Sequence, residues 1–209
     1  MVSATHGIGA TEQTQNHILE AAGILFEQYG YRKTTIEEIA QEAKIGKGTV
    51  YLYFKSKEEI GMAWLATLHS HIYEELEQIA KSDISPDKKI YEMLLKRIDL
   101  RFEVFTRHRR SMDEALSTLK ELCRVRREDF HRREAALIAD VIRDGIEKGE
   151  MIASDPDVVG GSMVLATNAL LPYSMSPQQL GDYGTVMTRA DNLVSLLVQA
   201  IVMRKGINS

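Results

Sequence analysis

A single cysteine, Cys123, among 209 residues excludes an intramolecular disulfide and any cysteine-rich zinc centre, and fits a reducing compartment, so the cytoplasm is the expected location. Cys123 itself reads as a small buried hydrophobe. Long apolar runs are missing too. The most apolar stretch, residues 158–175, is interrupted by Gly160, Gly161, Asn168 and Pro172, whereas a spanning helix needs about 20 predominantly apolar residues. No membrane partner is expected. Residues 1–13 lack the basic flank and apolar run of a secretory signal and read as a flexible leader. Charge of one sign is also scarce: the net charge is −4, which offers no chain-wide basic footprint for nucleic acid. Within residues 1–57, six Lys/Arg stand against six Asp/Glu, so any nucleic-acid contact has to be argued locally. Enzyme signatures are absent as well. His69 and His71 diverge on a helix, His108 and His131 have no carboxylate or cysteine at ligand spacing, and no His-Glu-x-x-His occurs. Neither catalytic residues, nor a metal, nor a cofactor is expected.

Proline is confined to Pro86, Pro156, Pro172 and Pro177, which leaves 1–85 and 87–155 free of that helix breaker. Ser85-Pro86, Asp155-Pro156 and Ser176-Pro177 each place a capping residue before a proline, the pattern of a helix start. Thr35 with Glu38, Ser56 with Glu59, and Ser176 with Gln179 match the reciprocal capping box. Between these marks the apolar spacing is helical. One stripe runs through Ile18, Ala21, Ala22, Leu25 and Tyr29, and the next through Ile36, Ile39, Ala40 and Ala43. Further stripes follow Ile60, Trp64, Leu68 and Ile72, then Leu94, Ile98, Phe102 and Phe105, then Phe130, Leu137, Val141 and Ile142. The expectation is an all-α chain of about nine helices, with turns at 149–155 and 171–177. Short helices give way to long ones near Lys55 and Ser56. This divides the chain into a leader (1–13), a three-helix domain (14–56) and a larger helical domain (57–209).

Gly30 ends the first helix as a left-handed C-cap residue. Lys44-Ile45-Gly46 has the length of the connection in a helix-turn-helix, and one short helix, Lys47 to Phe54, follows. Val50 and Phe54 share a face and can pack on Ile39 and Leu25. Thr49, Tyr51 and Tyr53 are left nearer the outside. The bare glycines allow close approach and offer N–H groups to an anion. Tyrosine and threonine hydroxyls can donate to phosphate, with Lys55 and Lys57 adding charge, and Lys47 can reach guanine O6 and N7. Helix pairs with tight turns also occur in proteins that never touch DNA, and exposed Lys and Tyr are ordinary solvated residues. A P-loop is excluded, because "GKGT" lacks the Gly-Lys-Thr/Ser adjacency.

The segment "TTIEEIAQEAKIGKGTVYLYFKSKEEI", residues 34–60, resembles the DNA-binding segment of the TetR family of bacterial transcriptional repressors, with Thr-Val-Tyr-x-Tyr-Phe at 49–54 the most specific part. The resemblance implies an N-terminal helix-turn-helix domain that holds a double-stranded DNA operator, a helical domain that takes a small-molecule effector, and a homodimer built on the last two helices. It also implies that effector entry releases the DNA. By the same resemblance Thr35, Thr49, Tyr51, Tyr53 and Lys57 contact phosphates, while Lys47 and the backbone at Gly48 approach bases. Lys44 stands where many members have glycine, and Gly46 where many have Ser or Thr.

An apolar stripe of Leu193, Leu196, Leu197, Ala200 and Ile201, widened by Val194, Val198 and Val202, exceeds what one neighbouring helix needs. In the preceding helix Gly160, Gly161, Ser162, Leu165 and Ala166 suit close contact. These two helices are the expected dimer interface, the alternative being that both are core. Candidate effector walls are Trp64, Leu68, Leu94, Ile98, Phe102, Met112 and Phe130, each equally readable as core. The arginines between Arg101 and Arg133 admit an anionic group on an otherwise apolar effector, or a solvated face paired with Glu121, Glu128 and Asp129. Two competing functions remain: a helical enzyme or carrier with a structural helix-turn-helix, which predicts no salt-dependent DNA affinity, and a DNA-packaging protein, which predicts sequence-blind binding with a steep salt slope.

Overall fold

A computed structural model describes residues 5–171 and 182–203, with the side chains of residues 5–10, 110 and 120 left aside. The Ser176-Pro177 helix start, the Ser176/Gln179 capping box and most of the 171–177 turn lie outside the described residues. Among the described residues there are nine helices: α1 (Thr5–Tyr29), α2 (Ile36–Glu42), α3 (Lys47–Tyr53), α4 (Lys57–Lys81), α5 (Pro86–Arg107), α6 (Arg109–Thr118), α7 (Lys120–Glu147), α8 (Pro156–Asn168) and α9 (Tyr183–Gln199). The described β structure is one isolated antiparallel bridge between Met151 and Val202, where Ile152 N donates to Ile201 O at 2.8 Å and Met203 N to Glu150 O at 2.9 Å.

Helix ends follow the local chemistry. α1 stops at Gly30, whose φ of +89° is open to a residue without Cβ. Its N–H reaches back to Phe26 O at 2.9 Å. The start of α1 is earlier than the leader reading implies. Thr5 to Gln13 contains no proline, and extending a helix already nucleated at 14–29 costs far less than starting one. Both halves of the Thr35/Glu38 capping box are formed. At α4 only one half is reciprocal: Ser56 Oγ accepts from Glu59 N, while Glu59 Oε2 accepts from Lys55 N. Asp155 caps α8 by accepting from Asp157 N and Val158 N, with Pro156 in the first turn.

The chain divides into two compact units, Met1–His69 with His108–Val125, and Ser70–Arg107 with Arg126–Ser209. The first unit therefore takes in the start of α4 and all of α6, beyond the 14–56 segment. Its core holds Ile18, Ala22, Phe26, Tyr31, Ile39, Val50 and Ile60, each almost sealed from water. Tyr29, read as part of the α1 stripe, is instead 48% exposed, at the last residue of α1.

In the second unit α5 packs on α8 and α9. One cluster joins Leu76, Ile90, Leu94, Ile138, Ile142, Met163 and Val194. A smaller one joins Ile98, Leu171, Val186 and Ala190. α8 comes close to α7 at Gly160, where a Cβ would lie 2.7 Å from Ala135 O.

Candidate nucleic-acid interface

The first unit holds a short helix against a rigid support. Val50 and Phe54 are buried on the inner face of α3. Removing each from water contributes about 1.5–3 kcal/mol, enough to dock a seven-residue helix that is too short to persist alone. His17 Nε2 donates to Ala43 O at 2.9 Å, tying α1 to the end of α2. The turn from α2 to α3 passes through Lys44 at φ +53°, the left-handed conformation that glycine adopts most readily. Gly46 caps α3 without a side-chain bond.

On the outer face Lys47, Gly48, Tyr51, Leu52 and Lys55 are exposed, and Thr49 and Tyr53 are half-buried. A Cβ added at Gly48 would meet nothing within 4 Å. Lys47 forms an ion pair with Glu37 of α2, and its ammonium lies 5.8 Å from the Tyr51 ring centroid. That hydrogen bond lowers the Glu37 carboxyl pKa and raises the Lys47 one. Both side chains are solvated, so the pair yields readily to another acceptor. The Thr35 hydroxyl is exposed but engaged in its cap, donating to Glu38 Oε2 at 2.9 Å.

Lys57 is placed differently. Its ammonium donates to Tyr31 O, Arg32 O and Thr34 O at 3.2, 3.1 and 3.1 Å and lies 4.9 Å from the Tyr31 ring centroid. An ammonium has three donors, and here all three hold the turn between α1 and α2. From α6, Ser111 donates to Phe26 O and Glu114 Oε2 accepts from Arg32 N at 2.9 Å. The turn that carries α2 and α3 is thus fastened by side chains of α4 and α6. Sequence reading missed this fastening, since its partners lie 23 to 85 residues apart. Tyr31 is 1% exposed and burial pushes its hydroxyl pKa up to about 12, helped by Glu58 and Cys123.

Residues 18–61 match the model of the bacterial regulatory proteins of the tetR family. That segment of the chain is similar to the DNA-binding part of the tetR family. The chain is 28% identical over 157 residues to the uncharacterised HTH-type transcriptional regulator YhgD of Bacillus subtilis, covering 74% of this chain and 80% of that one. It is 25% identical over 204 residues to the HTH-type transcriptional regulator TtgR of Pseudomonas putida, covering 93% and 96%. Its fold matches the crystal structure of the transcriptional regulator FadR from Bacillus subtilis in complex with stearoyl-CoA, with a TM-score of 0.60 at 20% identity over 87% and 96% of the two chains. The all-α class with an N-terminal helix-turn-helix is as the sequence implied, and both relatives, YhgD and TtgR, are named as transcriptional regulators.

The expected effector walls are divided between the two units. Trp64, Leu68 and Met112 belong to the first unit and Leu94, Ile98, Phe102 and Phe130 to the second. Trp64 stands edge-on to Phe26 at 5.3 Å and to His108 at 5.6 Å. Leu94 is fully buried in the larger core of the second unit, whereas Ile98 and Phe102 share the smaller cluster. Leu68 and Phe130 are half-buried. Phe102 also lines an open groove of about 470 Å³ with Asp99, Glu103 and Tyr183, where the Tyr183 hydroxyl donates to Asp99 at 2.6 Å.

Of the expected dimer residues, Leu165 and Leu196 are 72% and 67% exposed. Ser162 and Ala200 are exposed, and Gly161, Ala166, Leu193 and Leu197 are half-buried. Ile201 is buried in this chain's own core together with Val194 and Val198, next to the Met151–Val202 bridge, where its carbonyl accepts from Ile152 N. The arginine-rich stretch is in part the solvated face, with Arg124 paired to Glu121 at 3.2 Å and Arg132 to Asp129 at 3.1 Å. Arg101, at its start, is buried. Among the described residues no helix is long and apolar enough to cross a membrane.

Proposed function

We propose that this chain acts in the cytoplasm as a repressor that binds a palindromic operator as a homodimer and is released by a small-molecule inducer. The observation that carries the reading is α3 itself, buried along Val50 and Phe54 and presenting Lys47, Gly48, Tyr51, Leu52 and Lys55 outward. A major groove admits one helix of this width. Thr49, Tyr51, Tyr53 and Lys55 supply phosphate contacts, with Thr35 at the start of α2, while Lys47 exchanges Glu37 for a base edge beside the bare Gly48.

The homodimer is supported by the outward apolar residues Leu165 and Leu196, joined by Leu193, Leu197, Ala166 and the open Cα of Gly161. An exposed face of this kind on a folded chain marks an interaction surface. The effector is apolar, and its binding site includes Ile98 and Phe102 in the second unit. A neighbour of the same fold that is named as a complex with stearoyl-CoA favours an acyl chain with an anionic head. The functional partition is a reading head at 14–56 and an effector and dimerisation region at 57–209.

Footprinting of the bound operator tests the dimer. Two protected patches related by two-fold symmetry, separated by one helical turn of roughly 34–36 Å or a multiple, are expected. A single short asymmetric site per monomer contradicts the proposal. Thermal melting with a panel of acyl thioesters, carboxylates and neutral apolar compounds tests the effector, and stabilisation by neutral compounds alone overturns the anionic head.

A further inference from the structure

The most exposed large apolar side chain among the described residues is on the reading head. Leu52 is 82% exposed, more than Leu165 at 72% or Leu196 at 67%, both of which belong to the proposed dimer face. Its position on α3 gives the reason. At about 100° per residue, Leu52 lies two positions from Val50 and points away from the core on which Val50 and Phe54 are docked. Gly48, four residues earlier, shares that outermost face and has open space above its Cα. The described residues leave the leucine largely uncovered on this side of α3. Lys47, by contrast, is turned toward α2 by its pair with Glu37. When α3 enters a groove, Leu52 and the Gly48 backbone reach the floor first.

An isobutyl group has neither donor nor acceptor, so it cannot read the polar pattern of base edges. The one apolar mark in the major groove is the C5-methyl of thymine. We infer that Leu52 is a specificity-determining residue that packs on a thymine methyl in each half-site. Burying that methyl against Leu52 selects thymine over cytosine at one position, and the bare Gly48 lets the helix approach closely enough for the contact. The inference rests on the proposed operator-binding function and adds a base preference to it.

Uracil differs from thymine only by that methyl. The wild-type protein is used to select its preferred site from a random-sequence DNA pool, and each thymine of the site is then replaced singly by uracil. The expected result is one thymine per half-site whose replacement weakens wild-type binding about fourfold, the worth of one methyl returned to water. A Leu52→Ala variant, which leaves the buried core of the reading head untouched because the side chain is 82% exposed, binds the thymine and uracil versions of that position equally. The assignment is overturned if every uracil site binds wild type within twofold of the parent, or if Leu52→Ala keeps the same penalty. Failure of the wild type to select any sequence overturns the operator-binding function instead, and the Leu52 assignment with it.

Discussion

Arg97 of α5 and Glu134 of α7 meet at 3.0 Å with both side chains sealed from water. Arg101 closes on the other carboxylate oxygen. Arg97 further donates to Thr167 Oγ1 at 2.5 Å and to Asn168 Oδ1 at 2.8 Å on α8, so one guanidinium ties three helices of the second unit. Burial alone would raise the Glu134 pKa, but Arg101 and Arg97 outweigh it and hold the carboxyl at about 2. Removing one member of such a group leaves an uncompensated buried charge, at a cost of about 3–5 kcal/mol. Glu134→Gln is therefore expected to lose about that much in urea unfolding. A loss under about 1 kcal/mol would show that the network is not closed in solution.

Acid acts on the same unit through His131, whose ring is hydrogen-bonded to Asn168 at 3.1 Å. Burial lowers its pKa from 6.5 to about 4, Glu134 opposes this, and Arg97, Arg101 and Arg127 reinforce it. The unfolded chain then takes up a proton near pH 6.5 that the folded chain refuses until about pH 4. Stability is complete above that window and falls as pH drops through it. We expect His131→Asn to flatten the decline between pH 7 and pH 5 by about 1–2 kcal/mol, an amount already reduced for a half-exposed ring. Parallel pH–stability curves for wild type and variant would contradict this. The Glu134 contribution is lost lower still, below about pH 4.5 and toward pH 2.

Lys44 holds φ +53° at the end of α2, where a Cβ costs about 1 kcal/mol relative to glycine. Lys44→Gly is predicted to raise the midpoint of thermal unfolding, by an amount equivalent to about 0.5–1 kcal/mol. An unchanged or lower midpoint would mean that the lysine side chain repays its backbone strain.

For Lys57 the resemblance implies a phosphate contact, while the ammonium is found on three backbone carbonyls. The two roles separate in a salt titration. Loss of a phosphate contact flattens log K against log salt by about 1. Lys57→Met is predicted to destabilise the fold by about 2 kcal/mol and leave the slope unchanged; a flatter slope with intact stability assigns the lysine to DNA.

What could be read from the chain was local. Gly30 ending α1, the Thr35/Glu38 box, Pro86 and Asp155-Pro156 opening their helices, and Val50 with Phe54 turned inward all follow from residues within a few positions of one another. The outward direction of Leu52 was equally available from its two-residue offset to Val50, yet an apolar residue invites a core reading. The remainder depends on separation in sequence. Lys57 finds carbonyls 23 to 26 residues away, Arg97 meets Glu134 37 residues away, and Ile201 is buried beside a bridge that joins Val202 to the distant Met151. Periodicity gave Trp64, Leu94 and Phe102 the same inward face and could not separate them, although they lie in three different surroundings.

Sequence reading by α3 is tested most directly by binding of the purified protein to short fragments from around its own gene, against scrambled DNA, over a salt series. We predict tight binding to one fragment, persisting over the scrambled control as salt rises, and lost in Tyr51→Ala. Equal affinity for both DNAs at every salt concentration would contradict the account and point to a helix-turn-helix that serves the fold alone or binds DNA without reading it.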